Sequence, residues 1–133
     1  MKVFLSYRFS GEDPEVLRKT IQSICESLKK AGHDPFCSFW EGDFFKENKY
    51  SNKQILQHAL KELENSDIYL AFIKSEDKSE GMLIEAGYAL AKGKKFYLAI
   101  KKGVHTTFIK ELADTIIEFE NLEELYNKLS KLK

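Results

Sequence analysis

The chain has no surplus of either charge. Over 133 residues, 21 lysines and arginines face 21 aspartates and glutamates, for a formal net charge of zero. That balance excludes a general nucleic-acid binder and a polybasic membrane-surface protein. No apolar run approaches the roughly 20 residues of a bilayer span, and no signal peptide is read before the first strand. Two cysteines, Cys25 and Cys37, make no disulfide framework, and free thiols fit a reducing cytoplasm. Two prolines and seven glycines leave no linker, so residues 1–133 are expected to form a single domain. His33, His58 and His105 are scattered and, with the cysteines, fall at no zinc-ligand spacing. Neither a metal nor a redox cofactor is expected. P-loop, dinucleotide and nucleophile-elbow glycine motifs are all missing.

What is present is an alternation of short apolar strands and amphipathic helices. Met1 to Ser6 reads as a strand. Asp13 and Pro14 open a helix whose stripe is Leu17, Ile21, Ile24, Cys25 and Leu28, ended by Gly32. Pro35 to Phe39 reads as a second strand, followed by a polar and aromatic stretch from Trp40 to Tyr50. Ser51 and Gln54 have the capping-box spacing for a helix carrying Ile55, Leu56, Ala59, Leu60 and Leu63. Asp67 to Ile73 is nearly continuous apolar sequence, as in strands covered on both faces of a parallel sheet. A helix from about Gly81 to Gly93 is expected to bury Met82, Leu83, Ala86, Ala89 and Leu90. Phe96 to Ile100 and Thr115 to Ile117 read as strands, with a short helix over Phe108 to Leu112 and a last helix capped by Asn121. Five strands with intervening helices predict an α/β three-layer sandwich around a parallel sheet, in the flavodoxin-like order 2-1-3-4-5.

In such sheets, ligands bind beyond the carboxyl ends of the strands where the order reverses. That point brings the loop after strand one, Tyr7 to Glu12, beside the loop Lys74 to Glu80. Glu85 and Arg8 are expected to face one crevice. A strand-to-helix loop offers free amides and a favourable dipole to a polar ligand. Glu85, one turn into the helix, is expected to stay ionised by the same dipole and to serve as a positioned carboxylate. Ser6, Tyr7, Arg8, Ser10, Gly11, Ser79, Gly81 and Met82 are candidate substrate contacts, and Trp40 is a candidate stacking ring for a base.

The segment "SDIYLAFIKSEDKSEGMLIEAGYALAKGKKFYLAI" resembles the centre of the nucleoside 2-deoxyribosyltransferases and the related deoxynucleotide N-hydrolases. The resemblance places the family's nucleophile, which attacks the anomeric carbon, on Glu85. Two supporting carboxylates of that family fall on Ser79 and Ala59 here, and its first-strand aromatic on Phe4; the nearest loop carboxylates are Asp77 and Glu80. The opening "KVFLSYRFSGED" is similar to that of Toll/interleukin-1 receptor (TIR) domains, some of which cleave NAD, although the tryptophan and cysteine of their glutamate motif are absent. These resemblances imply an enzyme cleaving the N-glycosidic bond of a nucleoside or nucleotide, by hydrolysis or 2-deoxyribosyl transfer. The alternatives are a TIR-like NAD-cleaving enzyme and a non-catalytic nucleotide- or protein-binding module. The family likeness also implies a homodimer or larger symmetric assembly, with Trp40 to Tyr50 or the neighbouring helix near the contact.

Overall fold

The computed structural model describes residues 1–77 and 79–133. Lys78, within the expected loop Lys74 to Glu80, lies outside the described residues. The elements run β1 (Lys2–Ser6), α1 (Pro14–Lys30), β2 (Asp34–Phe36), a 3₁₀ turn (Ser38–Glu41), α2 (Gly42–Glu47), α3 (Asn52–Glu64), β3 (Ile68–Ile73), α4 (Glu80–Ala91), β4 (Lys95–Lys101), α5 (Ile109–Leu112), β5 (Thr115–Phe119) and α6 (Leu122–Leu129). The five strands pair in parallel in the order β2-β1-β3-β4-β5, as the sequence pattern predicts.

Alternate residues of the strands fill two separate cores. Val3 and Leu5 of β1, with Ile68, Leu70 and Phe72 of β3, pack against α1 and α6. Phe4 of β1, with Tyr69, Ala71 and Ile73 of β3, packs against α3 and α4. Ser6 closes β1 on this second face and lies in register with Ala71 of β3.

Local signals set the helix boundaries. Asp13 caps α1 by accepting from the Glu15 and Val16 amides, with Pro14 at the first helical position. The capping box of Ser51 and Gln54 opens α3 in both directions, at 3.2 and 2.8 Å. Gly93, at φ +68°, lets the chain leave α4 in the left-handed conformation.

Two expectations are corrected. The second strand pairs only over Asp34–Phe36, and the chain then coils into the 3₁₀ turn and α2. The cause lies in the aromatic segment, which packs upon itself: Phe44, Phe45 and Tyr50 cluster about His58 of α3, with ring centroids 5.4–6.4 Å apart. Leu83 and Leu90 are 48% and 39% exposed, because the side of α4 toward the sheet is taken by Met82, Glu85, Ala86 and Ala89. Cys25 and Cys37 are both buried free thiols, which accords with Cys25 as a core residue. Among the described residues no helix is long and apolar enough to cross a membrane.

Candidate active site at the carboxyl end of β1

The strand order reverses at β1, which lies between β2 and β3 while the later strands extend the other way. Above this point opens a cleft of about 430 Å³. Its floor is the end of β1, at Leu5 and Ser6. One wall is the start of α4, and the other is the first turns of α3.

Glu85 enters this cleft from the second turn of α4. Its Oε1 accepts a hydrogen bond from Ser6 Oγ at 2.6 Å. Ser6 and Ala71 stand side by side on the sheet face and are both small, which leaves room for the carboxyl group. Tyr69, fully buried on β3, donates from its hydroxyl to the Met82 carbonyl at 3.1 Å and so ties the first turn of α4 to the sheet. The site is therefore built on a strand end and a pinned helix, not on free loops.

The electrostatics differ from the sequence expectation. Burial pushes the Glu85 carboxyl up to about 7, and the Ser6 hydrogen bond opposes that only in part. The helix dipole does not keep it low, because the carboxyl is taken out of water with no cation beside it. Burial also raises the Tyr7, Cys37 and Tyr69 groups that surround it, so all three are protonated at neutral pH. No lysine, arginine or histidine is among the described residues lining the cleft.

Seven of the ten sequence-predicted site residues meet here: Ser6, Tyr7, Ser10, Ser79, Gly81, Met82 and Glu85. Ser79 caps α4, its Oγ accepting from the Met82 amide at 3.1 Å. Among the described residues its hydroxyl donates to no acceptor, which leaves that proton to a ligand. The Glu80 and Gly81 amides belong to the first turn of the helix, where intrahelical partners are lacking. Tyr7 is hydrogen-bonded to Ser38 and stands edge-on to Phe39.

Arg8, Gly11 and Trp40 lie elsewhere. Arg8 pairs with Glu12 at 3.7 Å, and Lys74 reaches the same carboxylate at 3.2 Å. Arg8 borders an adjoining crevice of about 10 Å³, room for one water rather than a phosphate. Gly11 shapes the turn outside the cleft lining. It sits at φ +81°, and a Cβ there would meet the Arg8 guanidinium at 2.6 Å. Trp40 is 48% exposed and packs edge-on against Phe39, outside the cleft lining. Both carboxylate positions that the family resemblance leaves empty are at the cleft, as Ala59 and Ser79, while Glu80 is a second acid on its wall.

Sequence reasoning missed Ser38, Asn52, Ile55, Leu56 and Ile84. The last three form an apolar wall, and Asn52 adds an amide beside it. The capping box already located Asn52 at the start of α3. What was lacking was the knowledge that α3 begins at the cleft mouth, which depends on the coiled path of the preceding aromatic segment.

A family model described as nucleoside 2-deoxyribosyltransferase matches residues 6–122. No curated protein matches by sequence. Among solved structures, the CMP N-glycosidase BcmB of Clostridium botulinum superposes with a TM-score of 0.71 at 22% identity, over 97% of each chain. A 2-deoxyribosyltransferase of Bacillus psychrosaccharolyticus gives 0.69 at 20% identity, over 100% of this chain and 93% of that one. A conserved protein of Enterococcus faecalis V583 gives 0.67 at 15% identity, over 98% and 97%. At these identities the superpositions speak for the fold.

Proposed function

This chain belongs to the nucleoside 2-deoxyribosyltransferase family, and we propose that it cleaves the N-glycosidic bond of a nucleoside or nucleotide with Glu85 as nucleophile. One observation carries the reading. Glu85, held at 2.6 Å by a buried serine, enters a cleft of about 430 Å³ at the point where the strand order reverses.

In this reading the base lies against Ile55, Leu56 and Ile84 with Asn52 at its edge. Sugar hydroxyls or a phosphate meet Ser10, Ser79 and the Gly81 amide, where the helix dipole favours negative charge. The free oxygen of Glu85 attacks C1′ through an oxocarbenium-like transition state. The C1′–N bond breaks, its electron pair leaves on the base nitrogen, and that nitrogen takes a proton from water. A water molecule or a second base then attacks C1′, the bond to Glu85 breaks with its electron pair returning to the carboxylate, and the hydroxide left by the first step takes the incoming group's proton, which completes hydrolysis or transfer. The raised carboxyl of Glu85 makes a better nucleophile and a poorer leaving group than an ordinary carboxylate, and it must ionise first. No metal or redox cofactor is assigned a step.

The assembly proposed is a symmetric homodimer through α4. Leu83 and Leu90 expose an apolar pair there, outside the cleft, whereas Phe45 of α2 is buried against Tyr50.

The test is incubation of the purified protein with nucleosides, 5′-monophosphates and NAD, with and without a second base, and chromatography of the products. Free base from a nucleoside or nucleotide is expected. Release of nicotinamide from NAD alone, or of no base at all, would overturn the reading.

A further inference from the structure

We infer that Ser6 is a positioning residue for Glu85 rather than a substrate contact, holding one carboxylate oxygen so that the other faces C1′. The inference rests on the reading of Glu85 as nucleophile and assigns Ser6 a different role from the one its sequence position suggests. Ser6 is 1% exposed, at the end of β1 on the face that packs against α4. Its Oγ donates to Glu85 Oε1 at 2.6 Å, in the short range of a hydrogen bond to a carboxylate.

The surroundings leave this role to few other groups. Among the described residues, the titratable or charged groups facing Glu85 can be named element by element. Tyr7 follows β1, Cys37 follows β2, Tyr69 lies on β3 and Glu80 lies on α4. None of these is a cation. Two described cations of the loops after β1 and β3, Arg8 and Lys74, share the Glu12 carboxylate. The family's own supporting carboxylates are replaced by Ala59 and Ser79, and its first-strand aromatic by Phe4, whose ring has no donor. Among the described residues, Ser6 is the side chain that donates to the Glu85 carboxylate. Tyr69 stands behind it, within hydrogen-bonding reach of Ser6 while donating to the Met82 carbonyl. Two hydroxyls from neighbouring strands thus fix the carboxylate and the helix turn that carries it.

This arrangement has a direct chemical consequence. A donor aimed at an otherwise lone carboxylate favours its ionised form. Ionised Glu85 is the form that attacks C1′, so Ser6 widens the pH range in which the nucleophile exists. It also selects which oxygen attacks, because Oε1 is engaged.

The experiment is a pH profile of Ser6→Ala and Ser6→Thr together with a carboxyl ¹³C titration of Glu85. For Ser6→Ala, the acid limb of kcat and the Glu85 titration should both move alkaline by about one pH unit, the loss of one hydrogen bond to a charged group. At pH 6.5 kcat should fall about 10-fold with KM nearly unchanged, and the deficit should shrink above pH 8. Ser6→Thr keeps the hydroxyl and should restore most of the rate and the titration midpoint. Thermal melting of each variant checks that it is folded. A raised KM with an unmoved midpoint would make Ser6 a substrate contact and overturn the inference. So would a Ser6→Ala protein whose titration matches the parent. If no nucleoside, nucleotide or NAD is cleaved and the Glu85 titration still moves, Ser6 keeps its placement and the proposed reaction is what fails.

Discussion

The two faces of the sheet are made by alternate residues of the same strands, yet they differ in kind. The face under α1 and α6 is apolar to its end: Val3, Leu5, Ile68, Leu70 and Phe72 meet Leu17, Ile21, Ile24 and Leu28 without a buried acid. The face under α3 and α4 begins equally apolar, with Phe4 and Tyr69 in contact, and then gives way to Ser6 and Ala71. Those two small side chains leave the space that Glu85 occupies. Packing stabilises the first face, whereas the second gives up stability to hold a carboxylate out of water. A site of this kind is expected to be strained relative to its neutral form, and the opposite face must supply the stability that it lacks.

The largest break in this contrast is Glu85→Gln. On the proposed mechanism it removes the nucleophile, and turnover should fall about 10³-fold or more. Stability should move the other way. The folded carboxyl titrates near 7, above its ordinary value of 4.5, so its neutral form is favoured by folding. That contribution is fully present below pH 4.5 and is lost as pH rises through about 7. The glutamine variant has no such loss. Its advantage over the parent should therefore grow between those limits, by up to about 3 kcal/mol. Urea melts at pH 5 and pH 8 measure it. A constant difference between the two proteins would mean that Glu85 is not buried as a lone acid. Turnover itself should rise with pH over the same window.

Leu28→Ala strikes the other face. Leu28 is fully buried in the α1 stripe, and truncation should cost about 2–5 kcal/mol of stability. Activity per folded molecule should stay at the parental level below the melting transition. Loss of activity in a folded Leu28→Ala protein would show that the two faces are coupled rather than divided in labour.

These contrasts also mark what the sequence could reveal. The strand order follows from chirality and from the apolar runs at Asp67 to Ile73 and Phe96 to Ile100, and the structure has it. Glu85 was visible because a strand, a polar loop and a helix start are local features. Its environment was not visible. The carboxyl is raised by burial where Tyr7, Cys37 and Tyr69 converge from three strands or their ends, with Ser6 opposing the rise, and the sequence does not place these side by side. Arg8 shows the converse error. It occupies the right loop, but its side chain turns to Glu12 across Gly11, a choice made by side-chain geometry and not by topology. Asn52 and Ser38 escaped notice because they flank a segment whose path is set by its own aromatic packing.

A third break concerns the outer surface of the same helix. Leu83 and Leu90 lie on α4 away from the sheet, and neither lines the cleft. If they meet a second copy, Leu83→Lys should shift the mass by light scattering from dimer to monomer at tens of micromolar protein, an interface leucine being worth about 1–3 kcal/mol. A monomeric parent protein would end the dimer proposal.

The smallest effect is expected at Arg8, and it tests the boundary between the cleft and its neighbour. Sequence position made Arg8 a candidate substrate contact, and if that contact were with phosphate it would discriminate a 5′-monophosphate from its nucleoside by about 1.5–3 kcal/mol. The structure instead engages Arg8 with Glu12, and Lys74 holds the same carboxylate at 3.2 Å. Removing the guanidinium leaves Glu12 with one partner, so Arg8→Ala should cost no more than about 1 kcal/mol of stability, as for other partly exposed pairs. The ratio of kcat/KM for monophosphate and nucleoside should change less than about 2-fold, since neither substrate reaches Arg8 in this arrangement. A selective loss of the monophosphate would mean that the substrate draws Arg8 away from Glu12. The ion pair would then be a resting contact broken on binding, and the cleft would extend over the loop that here stands apart from it.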